Sequence, residues 1–235
     1  MLLSTKDDDN NQKLHSNFIC ASQGVAGLGM LSDHGEKDHG WFPHEDYKWN
    51  QNVGRGVHHW NFRNFILERM NLPTNVRPRR TKPLVILSTG SSHRSFELEP
   101  HREFLQTTFP ETEVVAYNLK DWELKEQLEA VADAAIYISI AGGGTFTAMF
   151  LPKGASLVLY YTTGLEEGPA RLDYDFWNNL GYLRVHWLPF VEPKKPAPPN
   201  DAVLEALVRH ELQVLMQQNV DDADKDTTRR EEAEA

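Results

Sequence analysis

The sequence predicts an α/β protein built on a doubly wound, mostly parallel sheet. From Pro83 onward, apolar runs of strand length alternate with helical patterns, and short turns separate them. The run 83–89 is apolar almost throughout rather than at every second position, which is typical of a strand buried on both faces. Strands that alternate with helices in this way favour a parallel sheet covered on both sides.

Each predicted element follows from a local pattern. The predicted strands are 83–89, 112–118, 135–141, 155–162 and 182–189. The predicted helices are 58–70, 99–109, 121–134, 145–151, 172–181 and 201–218. Asp121 and Asp201 have the side chains of helix N-caps, and residues 18–30 are expected to be rich in strand. The order of elements is that of a Rossmann-like sheet.

The predicted domain organisation has one compact body and polar ends. Composition separates a disordered lead-in at 1–16 from the body at 17–191. A proline-rich linker at 192–200, a helix at 201–218 and a disordered tail at 219–235 follow. The helix has an apolar stripe at helical spacing, and the tail has almost no large apolar residue to bury.

Composition excludes several classes of function. The chain of 235 residues has 24 Lys and Arg against 34 Asp and Glu, which gives a net charge of −10. An acidic chain has no general electrostatic attraction to nucleic acid or anionic membranes. The single cysteine, Cys20, excludes internal disulfides and cysteine-based zinc sites. No apolar run approaches the roughly 20 residues of a membrane-spanning helix, and we expect neither a signal peptide nor a membrane segment.

Two predicted loops carry the chemistry of a ligand site. Ligands of open parallel sheets bind beyond the carboxyl ends of the strands. The loop after 83–89 supplies Ser91, Ser92 and Arg94, and Gly142-Gly143-Gly144-Thr145 follows the strand 135–141. Glycine turns let backbone amides approach an anion, and arginine offers a planar donor fork. Both loops fall on the same predicted edge, which indicates a phosphorylated ligand.

The ordered motifs resemble the catalytic domain of the glycosyltransferase 61 family over about residues 17–189. The residues that carry this resemblance are Cys20, Gly27, Leu28, Phe62, Arg63, Ser88, Arg94, Glu126, Gln127, Gly142, Gly144, Phe150, Pro152 and Gly154. The resemblance implies the nucleotide-binding half of a two-domain GT-B enzyme. Thr89, Ala141, Gly143 and Thr147 depart from the family pattern, and we expect a truncated chain, a divergent branch or an isolated nucleotide-binding half.

The resemblance implies inverting sugar transfer from a UDP-sugar to a glycan or glycoprotein hydroxyl. It assigns the leaving pyrophosphate to Arg94 and the amides of Gly143, Gly144 and Thr145, with Ser91 or Ser92 assisting. Glu166 falls where a ribose contact is expected, and Arg63 is either a second phosphate ligand or a structural arginine. The need for Mn²⁺ or Mg²⁺ stays open.

The general base is assigned to His34 or Asp33, in the polar segment 32–47. The same spacing also fits a zinc site or a solvated loop, and no metal ligand is assigned. The rival function is a non-catalytic nucleotide-binding or scaffold protein on a degenerate transferase fold. The resemblance implies the Golgi or ER lumen, if an N-terminal anchor precedes this chain.

Overall fold

The structure is a computed structural model that describes a large part of the chain. The described residues are 34–35, 42–43, 56–74, 82–89, 97–161, 173, 176–177, 180–190 and 198–234. Two short strands, His34–Gly35 and Phe42–Pro43, pair antiparallel ahead of the main fold. The predicted lead-in, the predicted strand-rich segment 18–30 and most of the predicted linker lie outside the described residues.

Five parallel strands form the main sheet of the described chain. They are β1 (Leu84–Thr89), β2 (Glu113–Asn118), β3 (Ile136–Ile140), β4 (Ser156–Tyr161) and β5 (Arg184–Pro189). Their order across the sheet is β2-β1-β3-β4-β5, and every neighbouring pair is parallel. The predicted doubly wound α/β fold is therefore confirmed.

Helices cover both faces of this sheet. The α-helices with described bounds are α1 (Gly56–Arg69), α2 (Leu98–Thr108), α3 (Leu124–Val131) and α4 (Ala202–Glu234), and 3₁₀ helices span Leu119–Asp121 and Gly143–Phe150. One core cluster joins the sheet to α2 and α4, which define the α2/α4 face. The other joins it to α1, α3 and the 3₁₀ helix Gly143–Phe150, which define the α1/α3 face.

The central strands alternate between the two cores. In β1, Leu84 and Ile86 belong to the α1/α3 core, whereas Val85 and Leu87 belong to the α2/α4 core. All six residues of β1 are buried. Burial on both faces explains why the sequence shows a continuous apolar run instead of an alternating one.

The edge strand β2 is protected by a side chain of α2. Gln106 donates from Nε2 to the carbonyl of Thr112 at 3.0 Å and accepts from the backbone N–H of Val114 at 3.1 Å. These bonds satisfy backbone groups that a sheet edge otherwise exposes for pairing with another chain.

The C-terminal helix α4 is longer and more deeply integrated than the sequence predicts. It continues to Glu234, past the predicted end at 218 and through the predicted tail. Its apolar stripe belongs to the α2/α4 core, through Leu204, Val208, Leu212 and Leu215. The N-cap prediction is confirmed, because Asp201 Oδ1 accepts the backbone N–H of Val203 at 3.2 Å.

A buried carboxylate joins α4 to the amino ends of β4 and β5. Glu211 is 1% exposed, lies 2.6 Å from Arg184 Nε and accepts the hydroxyl of Ser156. His186 Nε2 lies 3.1 Å from its other oxygen. Burial acts to raise the pKa of Glu211, but hydrogen bonds from His186, Ser156 and Arg184 outweigh it and hold the pKa at about 2. The carboxylate therefore stays charged inside the fold.

Two predicted helix starts are wrong in detail. Asp121 does not cap α3; it ends the short 3₁₀ helix, and Glu126 Oε2 accepts the backbone N–H of Glu123 at 3.0 Å at the true start. The segment predicted as a helix over 145–151 forms the 3₁₀ helix Gly143–Phe150. Its first turn contains two glycines and a threonine, residues that favour the α-helix weakly.

Candidate functional site

The crevice between β1 and β3 is the topological switch point of the sheet. After β1 the chain crosses to β2 through α2, on the α2/α4 face, whereas after β3 it reaches β4 through the 3₁₀ helix on the opposite face. Because the two strands are adjacent and parallel, their carboxyl ends share one edge. Open α/β sheets bind ligands at this position. We call it the switch-point crevice.

The glycine turn after β3 forms one wall of the switch-point crevice. Gly142 has φ 145°, a conformation that residues with a Cβ rarely adopt. The backbone N–H of Ala141 donates to the carbonyl of Tyr160 at 2.8 Å, which fixes the turn to β4. A Cβ added at Gly143 would meet no atom of the described residues within 4 Å, so this side of the turn is open with respect to them.

The amides of the turn differ in their availability. The backbone N–H and the hydroxyl of Thr145 both donate to the carbonyl of Gly142, at 3.0 and 2.6 Å. Thr145 therefore closes the turn, and its amide is already used within it. Gly143 and Gly144 occupy the first turn of the 3₁₀ helix, where amides have no partner within the helix. These two amides are the better anion donors.

Buried hydroxyl groups follow β1 and β3 toward the crevice. Ser139 donates its hydroxyl to the carbonyl of Ser88 at 2.9 Å, which ties the two strands together near their carboxyl ends. Thr89, the last residue of β1, is also buried. The Tyr137 and Thr147 hydroxyls lie 3.2 Å apart under the 3₁₀ helix, and burial raises the pKa of Tyr137. The described ends of β1 and β3 are thus polar but carry no charged side chain.

An aromatic cluster lies beside the glycine turn. Phe146 is 43% exposed, and its ring centroid lies 5.1 Å from that of Phe176 and 6.2 Å from that of Trp177. Phe176 and Trp177 meet edge to face at 4.9 Å. The buried members fix Phe146, which lies two residues after Gly144 in the 3₁₀ helix, and a partly exposed ring can stack on a planar ligand. The sequence pattern alone does not single out Phe146, because aromatic residues after a glycine turn are also typical of a core.

Arg63 lies away from the glycine turn. It is fully buried, and its Nε donates to the carbonyls of Phe150 at 3.1 Å and Leu151 at 2.9 Å. Its Nη1 donates to the carbonyl of Thr74 at 2.8 Å, and burial lowers the pKa of Arg63 to about 10. The carbonyls of Phe150 and Leu151 lie at the far end of the 3₁₀ helix, roughly 14 Å from its glycines at a rise of about 2 Å per residue. The observed contacts match the structural alternative.

Other predicted site residues lie outside the described residues. Ser91, Ser92 and Arg94 follow β1 directly, Glu166 follows β4, and Asp33 precedes the first short strand. The backbone of His34 lies in that strand, whereas its side chain is outside the described part. The roles assigned to these residues stay predictions. Of the predicted set, the structure brings together Gly142, Gly143, Gly144 and Thr145.

Two further properties concern the described ranges alone. No helix in them is long and apolar enough to cross a membrane. They also contain no group of three or more His, Cys, Asp or Glu side chains arranged to hold a metal ion.

The strand order defines the class of fold. The order 2-1-3-4-5 is that of flavodoxin-like sheets. No protein-family model and no curated protein matches the chain. A solved flavodoxin-like domain from Synechococcus sp. is similar, at 13% identity and a TM-score of 0.35, over 58% of this chain and 98% of that domain. Rubredoxin oxygen:oxidoreductase from the anaerobe Desulfovibrio gigas is similar at 13% identity and a TM-score of 0.37, over 59% of this chain and 37% of that one.

These findings correct the family expected from the sequence. The observed strand order is that of flavodoxin-like sheets, and no family model matches the chain, so the glycosyltransferase 61 resemblance is wrong. Inverting sugar transfer, the UDP-sugar donor with its Mn²⁺ or Mg²⁺, and the Golgi assignment fall with it. The degenerate-transferase alternative has no support either. The motifs behind the resemblance, a hydroxyl-rich strand end and a glycine turn, suit any doubly wound sheet. Nothing here bears on a glycan or glycoprotein acceptor.

Proposed function

We propose that this protein binds a phosphorylated, planar ligand of the flavin mononucleotide class in the switch-point crevice. The observation that carries the proposal is the glycine turn at the switch point of a sheet with the order 2-1-3-4-5. In flavodoxin-like sheets this crevice is the place for FMN. A bound flavin would supply one- and two-electron redox chemistry.

The residues present fit such a ligand. The side of Gly143 that a Cβ would occupy is open with respect to the described residues, and the amides of Gly143 and Gly144 have no partner within the 3₁₀ helix. A phosphate accepts hydrogen bonds from such amides, and charge-assisted bonds are about twice as strong as neutral ones. The exposed ring of Phe146 offers a surface for stacking a planar ring system.

Arg94 is the proposed source of positive charge. The described residues that end β1 and β3 and form the glycine turn, 88–89 and 139–147, carry no charged side chain, and the chain as a whole has a net charge of −10. A phosphate dianion would therefore need a local cation. Arg94 follows β1 by five residues in the sequence, and an arginine fork suits phosphate.

A titration of the purified chain with FMN and with riboflavin tests the proposal. The two ligands share the ring system and differ in the phosphate, so FMN should bind at least about tenfold more tightly if the phosphate contacts are made. Inorganic phosphate should compete with FMN but not with riboflavin. Equal affinity for the two flavins, or no binding of either, would contradict the proposal.

Two variants locate the site, and a third serves as control. Gly143→Ala adds a methyl group beside the proposed donor amides, meets no atom of the described residues within 4 Å and should weaken FMN binding. Arg94→Ala should weaken it by about tenfold through the loss of one charged hydrogen-bond donor. Gly181→Ala also adds a methyl group to open space, but it lies just before β5 at the opposite edge of the sheet. The affinity of Gly181→Ala for FMN should equal that of the unaltered chain.

A further inference from the structure

The helix α1 has apolar side chains on two opposite faces. Its inner face belongs to the α1/α3 core, in which Leu67 is fully buried. On the opposite face, Val57, Phe62 and Phe65 are 63%, 50% and 52% exposed. We call these three residues the outer face of α1. A surface helix usually carries polar residues opposite to the core, and apolar residues on both sides indicate a helix that is covered twice.

Phe62 and Phe65 form the centre of the outer face. Residues three apart in a helix lie one turn from each other on the same side. The guanidinium carbon of Arg69 lies 5.3 Å from the ring centroid of Phe65, so the nearest described charge borders the phenylalanine ring. The exposed apolar area of the outer face is roughly 300 Å², taking 150–250 Å² for a whole aromatic side chain. Apolar patches of this size often mark a contact surface.

The size of the outer face argues against a second copy of the chain as its occupant. A specific interface between two proteins buries about 800 Å² on each partner, more than twice the apolar area available here. A segment of the same chain needs less contact area, because its tether gives an effective concentration on the order of millimolar. The outer face therefore suits a tethered segment of this chain.

One segment outside the described residues has the matching composition. Residues 17–31 contain no Asp, Glu, Lys or Arg, and six of their 15 residues are Phe, Ile, Val, Leu or Met. Charged residues occur in each of the other longer segments outside the described ranges, which are 1–16, 36–41, 44–55, 75–81, 90–96, 162–172 and 191–197. Composition thus selects residues 17–31 among the segments that lie outside the described part of the chain.

The connection to α1 is long enough for such a contact. Residues 32–55 join the segment to Gly56, the first residue of α1. These 24 residues can span up to about 80 Å, whereas the 14 residues of α1 extend over about 21 Å. The whole outer face is therefore within reach of residues 17–31.

We propose that residues 17–31 pack on the outer face of α1, with their apolar side chains against Phe62 and Phe65. The contact removes apolar surface of both partners from water, which is favourable in proportion to the area. The lack of charge in 17–31 matters, because a charged side chain pressed against the phenylalanine rings would lose hydration without an ionic partner in return.

Paramagnetic broadening of amide signals tests this proposal on the full chain. Cys20 is the single cysteine and lies within 17–31, so a nitroxide on its thiol marks this segment alone. In the ¹⁵N-labelled chain, the nitroxide should strongly weaken the amide signals of residues 57–65 relative to a diamagnetic label. The signals of residues 211–218 on α4, which packs on the other face of the sheet, should keep their intensity. Because Cys20 lies in the apolar segment itself, the measurement is repeated with the label at residue 16, in Ser16→Cys with Cys20→Ser.

Substitutions of exposed residues supply the matched control. Phe62→Ser and Phe65→Ser, combined in one chain, should restore the amide signals of α1, because they remove the apolar contact surface. Met216→Ser should leave the broadening unchanged, since Met216 is an equally exposed apolar residue on α4. Circular dichroism checks that each variant keeps the helix content of the unaltered chain.

Three outcomes would overturn the proposal. Unweakened α1 signals at both label positions would mean that residues 17–31 do not approach this helix. Equal broadening in the unaltered chain and in the Phe62→Ser, Phe65→Ser variant would mean that the outer face does not hold the segment. The third outcome comes from a mixture of nitroxide-labelled chains without ¹⁵N and ¹⁵N-labelled chains without nitroxide. Broadening of α1 in this mixture would make a second copy the occupant.

Discussion

Replacing Glu211 by glutamine should loosen α4 from the sheet. The carboxylate is 1% exposed and contacts Arg184, Ser156 and His186. Its pKa, lowered from 4.5 to about 2, means that the folded state favours the charged form more than the unfolded chain does. At 1.36 kcal/mol per pKa unit this preference is about 3 kcal/mol. Glu211→Gln should lower the free energy of unfolding by about that amount at neutral pH.

The pH dependence of this difference has a definite sign. Because the pKa of Glu211 is lower in the folded state, its contribution is complete above about pH 4.5 and is lost as the pH falls through about 2. The gap in stability between the unaltered chain and Glu211→Gln should therefore stay constant from about pH 6 to pH 8. It should then shrink toward zero as the pH approaches 2.

Urea unfolding followed by circular dichroism measures this gap at several pH values. Glu205→Gln is the matched control on the same helix, since Glu205 pairs with Arg209 at 2.8 Å on the surface. Such a pair contributes about 0.3–0.5 kcal/mol. If Glu211→Gln costs no more than Glu205→Gln, or if the gap widens toward acid, the buried charge does not hold α4 in place.

Three other substitutions test the fold around the sites. Gly142→Ala should lower the free energy of unfolding in urea by about 1–2 kcal/mol, because φ at this position is 145°. Gly143→Ala should lower it by less than about 0.5 kcal/mol, and equal losses would contradict the turn geometry. Leu212→Ala should lower the free energy of unfolding by about 2–5 kcal/mol, because the side chain belongs to the α2/α4 core. A loss as small as that of a surface substitution would mean that α4 does not cover the sheet. Arg63→Lys should lower the free energy of unfolding by about 1–3 kcal/mol, because it leaves backbone carbonyls without a donor. The same variant should keep its affinity for FMN in calorimetry, and weaker FMN binding would place Arg63 at the ligand.

The sheet could be predicted because its residues obey local rules. Continuous apolar runs such as Leu84–Thr89 occur where a strand is buried on both faces, and all six residues of that strand are buried. The glycine turn could be placed beside β1 because adjacent parallel strands end at the same edge. Both inferences need only strand order and burial.

The sequence-based predictions were wrong or incomplete where the structure depends on contacts between residues far apart in the chain. The apolar stripe of α4 predicts a helix with one buried face. The spacing alone does not reveal that this face packs against the sheet and completes the α2/α4 core. An arginine on an amphipathic helix gives no sign that Arg63 will bind the carbonyls of Phe150 and Leu151, 87 and 88 residues away. The family resemblance failed for a related reason, since its motifs describe turns that many doubly wound sheets share.

The most direct test of the proposed function is an amide chemical-shift titration of the ¹⁵N-labelled chain with FMN, with riboflavin as the comparison. The account predicts that FMN shifts the amides of Gly143 and Gly144 strongly, because these groups donate to the phosphate. Riboflavin should shift them far less. If FMN leaves both amides in place, or shifts only residues at the amino ends of the strands, the switch-point crevice is not the ligand site.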